Sequence, residues 1–135
     1  MKHRVIGKFE VVASEESDIR NEPAQPTMSR GRVEKRYSGD VVGTGVAYLL
    51  MSRALPEGAG YTALERIQVA IDGTSGSFDL IHGGIHQSGT DTAFGYIVPG
   101  TGRDGFTGIT GTGFFRHDAQ GAFIELEYEL PNSGA

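Results

Sequence analysis

The sequence predicts an all-β domain, a closed antiparallel β-barrel of about eight strands, with a β-sandwich as the alternative. Short runs of residues alternate between apolar and polar side chains, and turn-rich segments separate them, as in strands of an antiparallel sheet. Of the 135 residues, 21 are glycine, and they fall between the alternating runs, where turns and close backbone approaches need them. The length suits one domain, so residues 1–135 are interpreted as a single barrel.

The first half of the chain supplies three predicted strands before the central one. The first covers about residues 5–12, and residues 14–27, with two prolines and many polar groups, predict a flexible loop. The second strand covers about 28–37 and the third about 41–53. Gly43, Gly45 and Ala47 of the third strand suit a strongly curved sheet with a narrow interior. This curvature favours the barrel.

The fourth predicted strand, at about 61–72, places an acid among apolar residues. One face carries the more apolar side chains and is assigned to the interior; its members are Tyr61, Ala63, Glu65, Ile67, Val69 and Ile71. Side chains alternate between faces along a strand, so Glu65 is predicted to lie inside. A shift of one residue would turn Arg66 inward instead.

Four further strands complete the prediction, at about 78–86, 92–98, 108–117 and 122–130. One face of the fifth carries Phe78, Leu80, His82, Gly84 and His86. The sixth alternates through Phe94 and Tyr96. The eighth is the most regular, because Ile124, Leu126 and Tyr128 alternate with Glu125, Glu127 and Glu129.

Charge and composition exclude several function classes. A net charge of −5 disfavours nucleic acid as a partner, since phosphate binding needs a basic surface. A small basic cluster of Arg30, Arg32, Lys35 and Arg36 is interrupted by Glu34 and is interpreted as a solvated strand face. The chain has no cysteine, hence no disulfide or thiolate site. It shows no signal peptide and no apolar run of ~20 residues, so we expect a cytoplasmic protein without a membrane partner.

Glu65 and His82 are the candidate catalytic residues. Burial raises the pKa of a carboxyl group, and such a group can act as a general acid or base; alternatively, Glu65 forms a structural pair with an arginine or a tyrosine hydroxyl. Strands four and five should pair as a hairpin, which brings His82 towards Glu65. His82 and His86 lie about 13 Å apart along a strand, so no shared metal is expected, and no cofactor is predicted.

Tyrosine hydroxyls extend the candidate ligand-binding set. Buried tyrosines commonly satisfy each other or the backbone, but they can also present a hydroxyl to a cavity. The ligand-binding candidates are therefore Tyr48, Tyr61, Glu65, His82, Tyr96 and Tyr128.

An ordered set of short motifs resembles a known bacterial family. These motifs are Tyr37-Ser38-Gly39-Asp40, Leu64-Glu65-Arg66, Gly73–Phe78, His82, Val98–Gly102, Gly108–Gly113 and Tyr128-Glu129-Leu130. Together they resemble the family catalogued as domain of unknown function 3224, which is grouped with the allene-oxide-cyclase-like barrels. The resemblance implies a closed antiparallel barrel. Allene oxide cyclases bind an oxylipin in an apolar barrel cavity containing a buried acid and assemble as trimers, which implies a comparable place for Glu65.

Three functions remain open from the sequence. The first is a barrel that binds a small apolar or amphipathic molecule, and the second is a cofactor-independent cyclase or isomerase that uses Glu65. The third is a structural barrel with a filled interior that forms homo-oligomers. An apolar cavity of ~300 Å³ or more would favour the first two.

Overall fold

The computed structural model describes residues 2–131, and within them the chain forms nine strands. Their bounds are β1 Lys2–Arg20, β2 Thr27–Gly39, β3 Val42–Ala54, β4 Gly58–Ile71, β5 Thr74–Gln87, β6 Thr90–Ile97, β7 Arg103–Asp104, β8 Thr110–Asp118 and β9 Gly121–Glu129. Within this part of the chain, no helix has the length and hydropathy of a membrane span.

Eight of these strands form a closed antiparallel ring. Their order is β4-β3-β2-β1-β9-β8-β6-β5, and pairing of β4 with β5 closes it. The two-residue β7 lies outside the ring and pairs with β5. A single closed sheet buries the edges that an open sheet would expose. The prediction of an all-β, barrel-like fold is therefore confirmed. The strands form one closed sheet and not the two stacked sheets of a β-sandwich.

The side-chain parity predicted for β4 and β9 is the parity that the structure has. Glu65 and Ile67 are completely buried, whereas the side chain of Arg66 is 70% exposed on the outer face. On β9, Ile124 and Leu126 are buried in the core. Alternation along a strand sends the apolar side chains to one face because that burial is the main stabilising term.

The predicted loop over 14–27 is wrong for its first half. β1 continues to Arg20 and pairs with β2, with Ser14 opposite Val33 and Arg20 opposite Met28. Both faces of β1 are solvent-exposed from Glu10 onwards, so this part carries no apolar alternation to mark it as a strand. Only residues 21–26 connect β1 to β2.

The two ends of the ring differ. Phe106 and Ile109, in the segment between β7 and β8, are buried and close one end, where the Phe106 ring packs edge-on to Phe78 with centroids 5.4 Å apart. At the other end, β1 pairs with β9 only as far as Lys8, yet pairs with β2 to Arg20. The wall on the β1–β3 side therefore extends past the β8–β9 hairpin, and this end of the ring is open.

Candidate functional site

A cavity of about 560 Å³ occupies the open end of the ring. We call it the mouth cavity. Its apolar lining comes from β3, β4, β6 and β8 and includes Leu49, Met51, Ala59, Ala93 and Phe115. Basic side chains stand among the residues that line it, namely Arg53, His86, Arg116 and His117. The opening is thus apolar inside, with polar groups available near solvent.

Tyr61 connects the mouth cavity to a buried polar network. Tyr61 lines the cavity, and its hydroxyl lies 3.2 Å from Nδ1 of His82. Nε2 of His82 lies 3.0 Å from Oε1 of Glu65. Glu65 is fully buried and His82 is 2% exposed, and neither lines the cavity. The hydrogen-bonded path from both candidate catalytic residues to the cavity therefore runs through Tyr61.

Lys35 supplies the counter-charge of Glu65. Its Nζ lies 2.8 Å from Oε1 of Glu65, and its side chain is 8% exposed. The ammonium group also lies 3.6 Å from the centre of the Phe115 ring, close enough for a cation–π contact. The interpretation of Lys35 as part of a solvated face is therefore wrong. The sequence does indicate that Lys35 points inward, because it lies two residues before the inward Tyr37 and both residues therefore share one face of β2.

Tyr37 and Gly45 complete the setting of the carboxylate. The Tyr37 hydroxyl donates a hydrogen bond to Oε2 of Glu65, and Tyr37 is 1% exposed. A Cβ at Gly45 would lie 2.2 Å from the same oxygen. The absence of a side chain at Gly45 thus provides the space that Glu65 occupies. Gly45 therefore has a role that its expected contribution to sheet curvature does not include.

The network keeps Glu65 ionised. Burial is the largest influence and disfavours the carboxylate, but hydrogen bonds from His82, Lys35 and Tyr37 and the charge of Lys35 together lower the pKa of Glu65. The raised pKa of Glu65 that was predicted from burial is therefore wrong in sign, because its hydrogen-bond partners outweigh burial. Burial lowers the pKa of Lys35, while the Glu65 carboxylate opposes this shift. Glu65 and Lys35 therefore form a buried ion pair.

The charge of Glu65 fixes the protons on His82 and Tyr61. An ionised carboxylate only accepts hydrogen bonds, so Nε2 of His82 carries a proton and donates a hydrogen bond to Glu65. Burial lowers the pKa of His82, against the opposing effect of its hydrogen bond to Glu65, and the ring is neutral. Its Nδ1 then accepts a hydrogen bond from the Tyr61 hydroxyl. The Tyr61 oxygen consequently has only lone pairs left for a further partner.

The other predicted tyrosines lie away from this network. Tyr48 and Tyr96 are each 60% exposed on the outer face, and neither lines the mouth cavity. On β3 the residues that point inward are Gly45 and Ala47, and Tyr48 has the opposite parity. Tyr128 is 4% exposed and stacks on His3 at a centroid distance of 5.0 Å. Neither Tyr128 nor His3 lines the mouth cavity.

The two histidines of β5 have different partners. His82 contacts Glu65 and Tyr61, whereas His86 is exposed, lines the mouth cavity and pairs with Asp91. Among residues 2–131, no three histidine or acidic side chains converge as the ligands of a metal ion would.

Stability should fall in mild acid because His82 is held neutral in the folded state. Its folded pKa lies below the ordinary 6.5, so the unfolded chain binds more protons between those two values, and folding is disfavoured there. This contribution is complete above pH 6.5 and is lost as the pH falls towards the folded pKa. Urea unfolding at a series of pH values measures it. His82→Gln should flatten the dependence just below pH 6.5, and an unchanged slope in that variant would contradict the assignment.

Comparisons with known proteins identify a family and a fold. The chain matches the model of the family described as "Protein of unknown function (DUF3224)" over residues 5–129. It also superimposes on the 1.84 Å crystal structure of a protein with unknown function from the DUF3224 family of Shewanella oneidensis MR-1, with a TM-score of 0.80. The sequences are 23% identical, and the match covers 97% of this chain and 99% of the other. No curated protein matches the chain.

Proposed function

The chain belongs to the DUF3224 family, and from the geometry of its site we propose that it binds a small amphipathic molecule in the mouth cavity. The observation that carries the proposal is an apolar cavity of about 560 Å³ with Tyr61, the end of a buried polar network, in its wall. Ligand sites are commonly concave, mostly apolar and ~300–1,000 Å³ in volume, with a few fixed polar groups.

The apolar part of the ligand would lie against the β3 and β8 sides of the cavity. Leu49, Met51 and Phe115 supply large apolar surfaces there. Burial of a hydrocarbon chain against them is favourable at roughly 0.8 kcal/mol for each CH₂ group removed from water. Contacts of this kind set affinity but discriminate poorly between similar hydrocarbons.

The polar part of the ligand would carry a hydrogen-bond donor. The Tyr61 proton is engaged by Nδ1 of His82, at 3.2 Å, so the phenol oxygen offers lone pairs. A ligand hydroxyl or amine can donate to that oxygen, whereas an ether or an ester cannot. The buried Glu65–Lys35 pair fixes this preference because it holds the His82 proton on Nε2.

A second candidate function is proton transfer by Tyr61. The series Tyr61–His82–Glu65 links a phenol to a base and the base to a carboxylate, an arrangement in which the carboxylate orients the base. A cofactor-independent isomerase could use Tyr61 as its proton donor or acceptor. Tyr61→Phe would then keep ligand binding and abolish turnover, which distinguishes this function from binding alone.

A retained ligand is the first test of the binding function. Protein purified directly from producing cells under native conditions is weighed by native mass spectrometry and then denatured and weighed again. We expect an additional mass that disappears on denaturation and is lost in Met51→Trp, which fills the cavity. If the natural chain and the Met51→Trp variant retain the same additional mass, the mouth cavity is not the binding site.

The donor preference predicts a measurable difference between two isomers, 1-octanol and heptyl methyl ether. One hydrogen bond contributes about 0.5–1.5 kcal/mol, so the alcohol should bind the natural chain roughly 2–12-fold more tightly. Tyr61→Phe should remove that difference, and Tyr96→Phe, which deletes an exposed hydroxyl on the outer face, should keep it. Titration followed by amide chemical shifts gives both affinity and location. Equal affinities for alcohol and ether in the natural chain would contradict the preference.

A further inference from the structure

The outer face of the ring carries an exposed apolar patch that the ligand site does not use. Its members lie on β3, β4, β5 and β6 and are between 40% and 60% exposed: Tyr48, Leu50, Leu64, Ile81, Phe94 and Tyr96. We call them the outer patch. Large contiguous apolar patches on a protein surface mark interaction sites. We propose that the outer patch is a homodimer interface in which two copies of this chain pack face to face about a two-fold axis.

The patch is built around one row of side chains that crosses four strands. Tyr48 lies opposite Leu64, Leu64 opposite Ile81, and Ile81 opposite Tyr96. The row therefore begins and ends with tyrosine and has a branched aliphatic residue at each central position. A two-fold axis that runs parallel to the strands, midway between β4 and β5, places each half of the row on the other half of a second copy. Such self-complementarity is what a two-fold interface requires.

The neighbouring row towards the open end obeys the same symmetry. Leu50 lies opposite Thr62, Thr62 opposite Gly83, and Gly83 opposite Phe94. The axis places Leu50 of one copy against Phe94 of the second copy. A Cβ at Gly83 would lie 2.5 Å from the Phe94 ring, so that ring lies over Gly83 and adds to the continuous apolar surface.

The neighbouring row towards the closed end supplies charge complementarity. Arg66 on β4 lies opposite Asp79 on β5, and the two form an ion pair with an N–O distance of 2.8 Å. The same axis places Arg66 of one copy over Asp79 of the second copy, so opposite charges meet. An axis perpendicular to the strands would instead stack Arg66 on Thr62. The charges therefore select the axis parallel to the strands.

The composition of the surface fits a protein interface with a polar rim. Arg32 borders the central row at Tyr48, and Thr112 borders it at Tyr96. An apolar centre with tyrosine and phenylalanine and a polar rim is typical of interfaces between proteins. Six side chains that each expose roughly 100 Å² give about 600 Å² per copy, so a dimer that covers all of them buries about 1,200 Å², the lower limit of a stable interface. A second copy is thus an occupant of sufficient size.

The oligomeric state tests the proposal directly. Sedimentation velocity of the natural chain over a range of concentrations should show a species of twice the chain mass of 14.4 kDa. Leu64→Lys alters two contacts per dimer and should raise the dimer Kd on the order of 100-fold. The matched control is Val42→Lys, since Val42 is 55% exposed on the same face of β3 but lies three rows from Tyr48. Circular dichroism verifies that each variant is folded.

Complementary charges test the register of the two copies. The proposed axis pairs position 64 of one copy with position 81 of the other, so Leu64→Lys mixed with Ile81→Glu should form heterodimers more tightly than either variant forms homodimers. A natural chain that is monomeric at every concentration would overturn the proposal, whether or not the patch then binds a different protein. A dimer that Leu64→Lys and Val42→Lys weaken equally would also overturn it.

Discussion

Glu65→Gln is expected to lower the free energy of unfolding by about 3–5 kcal/mol at pH 7. The variant leaves the Lys35 ammonium, whose side chain is 8% exposed, without a counter-charge. Lys35 can escape by releasing its proton, at a cost of about 1.4 kcal/mol for each pH unit below its ordinary pKa of 10.5. That escape limits the loss to about 5 kcal/mol at pH 7. Urea unfolding followed by circular dichroism measures it.

Two further variants test whether the loss of stability comes from the unpaired Lys35 charge and not simply from removing a carboxylate. Glu10→Gln removes a carboxylate that is 65% exposed and paired with Arg36, and it should change stability by less than about 1 kcal/mol. Lys35→Met combined with Glu65→Gln removes both charges and should recover more than half of the loss, since the cost comes from an unpaired buried charge. A double variant as unstable as Glu65→Gln alone would show that Lys35 is not the reason.

Gly95→Ala is expected to destabilise the fold by about 3 kcal/mol, the upper end of the usual cost of overpacking. A Cβ at Gly95 would lie 1.6 Å from the carbonyl oxygen of Gly113. That oxygen belongs to the backbone of β8, so the two strands must separate to admit the methyl group. β6 and β8 are matched in register only at Tyr96 and Thr112, and their pairing is one of the seams that hold the ring together. Thermal unfolding of the purified variant measures the effect.

Gly89→Ala separates the steric cost from the conformational cost. Gly89 lies in the turn between β5 and β6 with a φ of 83°, and a Cβ there would have no atom within 4 Å. Its substitution should cost only the left-handed backbone penalty of about 1–2 kcal/mol. If Gly95→Ala costs no more than Gly89→Ala, the close contact between β6 and β8 does not limit stability.

The fold was predictable where one face of a strand is buried. β4 and β9 alternate strongly, and their parity placed Glu65, Ile124 and Leu126 correctly inside. The second half of β1 was not predictable in this way, because both of its faces contact solvent and burial imposes no pattern. Its strand structure comes from backbone pairing with β2, to which polar side chains such as Ser14 and Glu15 are no obstacle.

The candidate site was predictable in part. Strand parity brought Glu65 and His82 together, but Lys35 was assigned to solvent because three arginines surround it in sequence. A buried lysine becomes acceptable only when a carboxylate faces it, and the pairing of β2, β3 and β4 that brings Lys35 to Glu65 is a long-range feature. Tyr48 and Tyr96 were named as cavity candidates for their hydroxyl groups alone, without an argument from strand parity. Their exposure reflects the outer patch, where apolar side chains are retained without being part of the core.

The proposed ligand preference depends on which ring nitrogen of His82 carries the proton. The ¹⁵N chemical shifts of the two ring nitrogens report this position. Long-range ¹H–¹⁵N correlation spectra of the natural chain, assigned by comparison with His82→Gln, distinguish the two neutral tautomers from the imidazolium. At pH 7.5 we expect a neutral ring protonated on Nε2, with Nδ1 accepting the hydrogen bond from Tyr61. A ring protonated on Nδ1, or on both nitrogens, would donate to the Tyr61 oxygen and leave the Tyr61 O–H free to donate to a ligand, and the proposed ligand preference would be wrong.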